Sequence, residues 1–130
     1  MPFSLTLAVA DLQRTALFYR EILEWEVEEV VPLPGRPAVL LLRRGATVLF
    51  FREMSALEAL HPALFQNLER RPRGIGISLE FTVADLRPIR RAIERRRLHT
   101  LYELEDEEFG RREIWLHDPD GYLLVLQQET

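Results

Sequence analysis

The stretch "SLTLAVADL" at residues 4–12 returns as "SLEFTVADL" at residues 78–86, with six of nine residues identical at an offset of 74. A repeat of this length at a domain-scale period indicates one supersecondary unit that is used twice. The chain has 130 residues and a mass of 15.3 kDa, which suits one compact domain or two half-size units. The sequence therefore predicts two related modules that fold together.

The first module is predicted to span residues 1–54. "FSLTLAV" at 3–9 alternates between apolar and polar residues, which is typical of a half-buried strand. Asp11 occupies the position of a helix N-cap, and apolar residues recur at helical spacing from Leu12 to Leu23. Three further strands are predicted to begin at residues 25, 37 and 47, so the order is strand, helix and three strands.

The second module is predicted to span residues 75–130, after a helical connector at 55–74. A strand at 76–83 leads into a helix that begins at Asp85 and presents Leu86, Ile89 and Ile93 on one face. Strands near "TLYELED", "REIWLHD" and "YLLVLQQ" follow, the last two separated by the turn "DPDG". The predicted fold class is α+β, with two βαβββ modules in tandem.

Composition limits the function classes. The net charge of −4 argues against a general nucleic-acid binder, because phosphate contacts need a basic surface. No apolar run approaches the roughly 20 residues of a membrane span, and the N-terminus lacks the regions of a signal peptide. We therefore expect a cytoplasmic protein without membrane contacts. The sequence contains neither cysteine nor lysine, so three histidines and the carboxylates remain for acid–base chemistry.

The duplicated unit, the "VADL" before each helix, "FYREILEWEV" and "DPDGYLLVLQQ" together resemble the vicinal oxygen chelate superfamily. That superfamily includes glyoxalase I, extradiol dioxygenases, fosfomycin resistance enzymes and bleomycin resistance proteins. The resemblance covers nearly the whole chain. It implies mixed sheets that form a concave cleft.

In metal-dependent members of that superfamily, histidine, glutamate or glutamine side chains from the first and last strand of each module hold a divalent ion. The resemblance places these ligand positions at Ser4, Phe50, Ser78 and Val125. None of the four supplies a carboxylate or an imidazole, which divalent ions prefer. We therefore expect no metal and no other cofactor, with a divalent metal as the less favoured alternative.

Strand alternation identifies candidate pocket residues, because side chains two apart on a strand share one face. If the apolar faces pack against the helices, the opposite faces line the cleft. The predicted ligand-binding residues are Phe50, Arg52, Ser78, Glu80, Glu113, Trp115 and Val125. Glu80 and His117 are the candidate catalytic residues.

Each candidate also has a purely structural interpretation. His117 directly precedes the "DPDG" turn and could simply border that hairpin. Glu80 and Arg52 could form a structural ion pair, since a buried charge needs a partner. Trp115 and Phe50 are residue types that more often belong to a core than to a binding surface. His61 and His99 are expected to face solvent, and the charges of residues 102–113 to pair across a hairpin.

The candidate residues and the family resemblance together predict two possible functions. The first is metal-free binding or sequestration of a small organic molecule, in the manner of bleomycin resistance proteins. The alternative is a lyase, isomerase or dioxygenase-like enzyme, either with displaced metal ligands such as Glu80, Glu113 and His117 or with Glu80 as the base. One helix can cover only one face of a four-stranded sheet, so we also expect a two-fold homodimer with ligand clefts at or near the subunit interface.

Overall fold

The computed structural model describes residues 3–129. They form two compact units, and the boundary between the units along the chain lies between Pro72 and Arg73. Each unit contains one four-stranded mixed sheet and a helix that follows the first strand. The two units have the same order of elements in sequence. The predicted α+β fold of tandem βαβββ modules is therefore confirmed.

The first unit begins with five elements that match the predicted order. They are β1 (Leu5–Val9), α1 (Leu12–Glu21), β2 (Val27–Val30), β3 (Val39–Arg44) and β4 (Thr47–Glu53). The sheet has the order β1-β4-β3-β2, in which β1 and β4 are parallel and the other pairs are antiparallel. The strands predicted from residues 25 and 37 each begin two residues later.

The connector folds as two short helices and a 3-10 turn. These are α2 (Met54–Leu60), α3 (Pro62–Phe65) and the turn Leu68–Arg70. The helical periodicity of the sequence is interrupted at His61, because a residue before proline disfavours the helical conformation. Asn67 has a left-handed φ of 58°, which separates α3 from the 3-10 turn.

The second unit repeats the order of the first. Its elements are β5 (Ser78–Val83), α4 (Arg87–Arg95), β6 (Tyr102–Asp106), β7 (Arg111–His117) and β8 (Leu123–Gln128). The sheet order is β5-β8-β7-β6, with β5 and β8 parallel, so it matches the first sheet strand for strand.

The aspartates of the two "VADL" copies perform the same structural task. The side chain of Asp11 accepts a hydrogen bond of 2.8 Å from the backbone N–H of Gln13, and that of Asp85 accepts one of 2.9 Å from Arg87. Each aspartate thereby satisfies a backbone donor at the start of a helix. Hydrogen bonds from the Arg87 side chain and backbone also lower the pKa of Asp85 from its ordinary value. The repeated motif is therefore the strand-to-helix turn of both modules.

An aromatic cluster forms the core of the first unit. Tyr19 on α1 and Phe51 on β4 are both 0% exposed, and their ring centroids lie 5.2 Å apart. Trp25 stacks against Tyr19 at 6.2 Å. Because Phe51 faces α1, the neighbouring Phe50 and Arg52 lie on the opposite face of the sheet.

Helix α4 packs on one face of the second sheet. Its predicted apolar residues, Ile89 and Ile93, are buried, as is Leu86 just before it. Arg90 pairs with Glu103 on β6, and the backbone N–H of Leu86 donates to Gln128 on β8 at 2.9 Å. The other face of this sheet, turned away from α4, is called the distal face below.

Other expectations for exposed residues are met. Arg112 and Glu105 face each other across the β6–β7 hairpin at 3.6 Å, which confirms the predicted pairing of charges. His61 and His99 are exposed. Within residues 3–129, no helix is long and apolar enough to cross a membrane.

Candidate functional site

The distal face of the second sheet arranges the candidate residues in three rows across the strands. Neighbouring residues in strand register project to the same face of a sheet. The first row is Ser78, Leu123 and His117; the second is Glu80, Val125, Trp115 and Tyr102; the third is Thr82, Gln127, Glu113 and Leu104. The predicted candidates of this unit are therefore on one surface but in different rows.

A cavity of about 530 Å³ lies at the first row, where β5 and β8 begin and β7 ends. It is lined by the loop 73–77 together with Ser78, His117, Gly121 and Leu123. Two of the predicted residues, Ser78 and His117, thus line one cavity, and both are exposed to solvent.

Ser78 and His117 do not form a nucleophile–base pair through a direct hydrogen bond. They lie on strands that flank β8, with Leu123 between them in register. Strands in a sheet are about 4.8 Å apart, so the two Cα atoms are separated by about 10 Å. A bound molecule could instead contact both side chains at once.

An ion pair fixes the loop 73–77 to the "DPDG" turn. Arg73 Nη2 lies 3.5 Å from Asp120 Oδ1, and the Asp120 side chain is 0% exposed while that of Arg73 is 19% exposed. Asp118, which is also buried, accepts hydrogen bonds from the backbone N–H groups of Asp120 and Tyr122 at 2.9 and 3.0 Å. The turn is therefore held by its own aspartate, and His117 borders it as the last residue of β7.

Two glycines allow the loop and the turn to meet at the backbone. Gly74 has a φ of +81°, and a Cβ on it would lie 2.6 Å from the carbonyl oxygen of Gly121. Such a contact is shorter than the sum of the atomic radii. Only glycine fits this position, because it lacks the Cβ and tolerates positive φ. The backbone of Ile77 then returns to Gly74 O through a hydrogen bond of 3.2 Å.

The sequence did not identify Arg73, Asp120 or the loop 73–77 as part of the site. Polar residues in a turn are usually exposed, so "DPDG" indicated only a hairpin. The available signal was the second aspartate of the turn, which the turn geometry itself does not require. Asp118 is sufficient to hold the turn, so the carboxylate of Asp120 could have prompted a search for a basic side chain that pairs with it.

The second row combines aromatic and acidic groups. The rings of Trp115 and Tyr102 meet at 5.0 Å, and Trp115 is half-buried. Its Nε1 is buried without a hydrogen-bond partner among the described residues. Val125 is 3% exposed, whereas Glu80 beside it is exposed.

Glu113, in the third row, has hydrogen-bond partners within the protein. It is 7% exposed, accepts a hydrogen bond of 3.0 Å from Gln127 Nε2 and lies 3.4 Å from Arg111 Nη2. These residues, with Arg112 and Gln128, line a second cavity of about 300 Å³. The partners of Glu113 give this carboxylate a structural role in holding the start of β7 to the end of β8.

In the first unit, Phe50 and Arg52 lie on the face turned away from α1. Phe50 is in register with Thr6 and Leu41, and Arg52 with Ala8. Both are half-buried. The expected contribution of these residues to ligand binding and the expected pairing of Arg52 with Glu80 stay predictions.

The residues at the superfamily's metal positions do not fit a divalent ion. Ser4 precedes β1 and is exposed, Phe50 and Val125 end in carbon atoms, and Ser78 offers a neutral hydroxyl. Divalent ions require several close oxygen or nitrogen ligands, most of them anionic or imidazole groups.

A displaced set of ligands fits no better. Glu113 and His117 are four residues apart on β7, which separates their Cα atoms by about 13 Å. Glu80 lies in the second row, between the rows of His117 and Glu113, and two strands away from them. Within the described residues 3–129, no three histidine, aspartate or glutamate side chains are grouped so as to hold a metal ion.

A comparison with protein families assigns the fold to a known group. The model of the Glyoxalase/Bleomycin resistance protein/Dioxygenase superfamily matches residues 3–126. The chain belongs to this superfamily. The resemblance inferred from the repeated motif is therefore confirmed, and the match spans nearly all of both units.

Solved structures with the same fold are similar to the chain over nearly its whole length. A superfamily member from Sphaerobacter thermophilus has 19% identity and a TM-score of 0.64, covering 99% of this chain and 98% of its own. A lactoylglutathione lyase from Agrobacterium tumefaciens has 17% identity and a TM-score of 0.62, covering 98% and 92%. The fosfomycin resistance protein FosX from Mesorhizobium loti has 15% identity and a TM-score of 0.62, covering 100% and 92%. No curated protein matches the chain.

The contact between the loop and the turn predicts unequal effects for two substitutions in the loop 73–77. Gly74 and Gly76 have φ values of +81° and +79°, but a Cβ at Gly76 would meet nothing within 4 Å. Gly76→Ala should cost about 1 to 2 kcal/mol from the left-handed conformation alone. Gly74→Ala should cost about 1 to 3 kcal/mol more, because the new methyl group collides with Gly121. Urea denaturation of both variants measures the difference, and equal losses would refute the contact.

Proposed function

We propose that this superfamily member binds a small organic molecule in the cavity at the first row of the second sheet. The observation that carries the proposal is the cavity itself. Its volume of about 530 Å³ lies within the range of small-molecule sites, which is roughly 300 to 1,000 Å³. Its lining combines the side chains of Ile75, Ile77 and Leu123 with polar groups of Arg73, Ser78 and His117, the usual composition of such sites.

Binding without a metal is the form of this function that the side chains favour. The four superfamily ligand positions offer two hydroxyls and two hydrocarbon groups. The carboxylate and imidazole groups nearest to them are spread over three rows of the sheet. Orientation of the ligand therefore depends on the hydrogen-bonding side chains of the cavity and on apolar contacts.

The arrangement favours binding over catalysis. His117 is the titratable base among the cavity-lining residues that the structure describes, and it lies about 10 Å from Ser78 at the Cα atoms. Glu80 lies in the second row and Glu113 is held by Gln127. Solved structures of the same fold include proteins named as a lyase and as a resistance protein, so the fold is compatible with either class.

A substitution that fills the cavity tests the proposal. Ser78→Phe places a phenyl ring at its floor, whereas Thr82→Phe places the same ring on the same face of β5, two rows away. A ligand that binds only the folded protein raises its melting temperature. A thermal-shift screen of small organic molecules should yield compounds that stabilise the wild type and Thr82→Phe but leave Ser78→Phe unshifted.

The comparison of the two variants distinguishes binding in the cavity from binding elsewhere on the protein. Compounds that stabilise all three proteins equally bind elsewhere, and the cavity would then not be the ligand site. Circular dichroism spectra of both variants serve as the control for folding, because phenylalanine is well tolerated in strands.

The metal-free form of the proposal predicts a negative result in a metal titration. Elemental analysis of the gently purified protein should find no stoichiometric divalent metal. Titration with Ni²⁺, Zn²⁺ or Mn²⁺ should show no tight one-to-one binding, because the donor atoms needed for it are not grouped. Tight binding that weakens in Glu80→Ala or His117→Ala would contradict this and favour the enzyme.

We also propose that the protein is a two-fold homodimer, as relatives with this module commonly are. A symmetric dimer requires only one self-complementary patch on the surface of the protein. Sedimentation at micromolar concentration should give a mass near twice 15.3 kDa. A value near the monomer mass would exclude clefts between subunits. A cytoplasmic location stays a prediction.

A further inference from the structure

The cavity in the second unit contains an arginine whose hydrogen-bonding capacity is only partly used. Arg73 Nη2 approaches Asp120, but its Nε is buried and has no hydrogen-bond partner among the described residues. A guanidinium group has five N–H donors in a fixed planar fork. A bound molecule cannot reach this solvent-inaccessible Nε, so any acceptor from outside the protein would meet the part of the Arg73 side chain that is exposed, which is 19% of it.

The charges around the cavity favour an anion as that acceptor. Arg73 is the charged side chain of the lining, and none of the lining residues that the structure describes carries a carboxylate. Ser78 and His117 add donor groups on the floor of the same cavity. Hydrogen bonds to a charged acceptor are roughly twice as strong as those between neutral groups.

Asp120 limits how much negative charge the site accepts. Its fully buried carboxylate lies behind Arg73 and already offsets part of the guanidinium charge. A ligand with two negative charges would add repulsion that one arginine cannot balance. A single carboxylate adds one charge and presents two oxygens, which matches the planar fork of an arginine.

The remaining lining describes the rest of the ligand. Ile75 and Ile77 are exposed apolar residues, 77% and 39% accessible, that border the cavity together with Leu123. Exposed isoleucines on both sides of a glycine are suited to cover an apolar body. On these grounds, and resting on the proposed binding function, we infer that the ligand is an organic monoacid whose carboxylate binds Arg73 and whose apolar portion lies against Ile75 and Ile77.

A matched series of acids and amides tests the inference. The probes are phenylacetate, 3-phenylpropanoate and 4-phenylbutanoate, each compared with its primary amide of nearly the same shape. Binding is measured by calorimetry and by the NMR shifts of the backbone N–H groups of Gly74, Gly76 and Gly121. The acids should shift these glycines and bind at least tenfold more tightly than their amides.

Substitutions at Arg73 separate charge from hydrogen-bond geometry. Arg73→Lys keeps a positive partner for Asp120 but replaces the planar guanidinium fork with a single ammonium group, so it should weaken the acids about tenfold and leave the amides unchanged. The double variant Arg73→Gln, Asp120→Asn removes both charges together, avoids an unpaired buried carboxylate and should abolish the preference for acids. Arg71→Gln, at an exposed position outside the cavity lining, is the control and should have no effect.

The outcomes distinguish the two proposals. If the amides shift the three glycines as strongly as the acids, the inference of a monoacid is wrong and the binding function stands. The same conclusion follows if Arg73→Lys leaves the affinity for acids unchanged, or if phenyl phosphate binds more tightly than the carboxylates. If neither acids nor amides shift these glycines, both the inferred ligand class and the site fail.

Discussion

A β-strand presents its side chains to two sides, and in each module one helix occupies one of those sides. In the first unit Phe51 meets Tyr19 on α1, and in the second unit α4 is tied to Glu103 and Gln128. Successive side chains of a strand point to opposite faces of the sheet, so the helix-facing residues determine which face each remaining strand residue occupies. Phe50, Glu80 and Trp115 are on the opposite faces because their sequence neighbours form the helix-facing core. The distribution of candidate residues thus follows from the packing of two helices.

The strand-to-helix turn makes this packing possible in both units. The aspartate of each "VADL" accepts a backbone hydrogen bond two residues later, at 2.8 Å for Asp11 and 2.9 Å for Asp85. Two residues separate β1 from α1 and three separate β5 from α4, so each helix starts close beside its sheet. A short connection leaves little freedom in the path of the helix. This explains why the repeated residues concentrate at the turn, while the helices themselves differ in sequence.

Strand order and face could be predicted from the sequence because both depend on local patterns. Period-two alternation put Ser78, Glu80, Glu113 and His117 on the correct face, and a helical period put Ile89 and Ile93 in the core. The distribution of these residues among rows could not be predicted, since it depends on the register between strands. The wall of the cavity was also missed. It depends on contacts between Arg73 and Asp120 and between Gly74 and Gly121, which are 47 residues apart in both cases. No local pattern encodes a contact at that separation.

The two modules have diverged where their last two strands are joined. In the first unit two residues, Gly45 and Ala46, connect β3 to β4, whereas residues 118–122 connect β7 to β8. The longer connection has room for a buried aspartate that holds the turn and for a second one that binds Arg73. The loop before β5 is thereby fixed over the start of the sheet, and a cavity forms between loop and strands. Because the superfamily's metal positions in this chain lack charged or imidazole donors, a fixed arginine at the sheet's edge is the group best suited to orient a ligand. The duplication therefore supplies two similar frameworks, and the connection between β7 and β8 gives the second one the cavity that we propose as the ligand site.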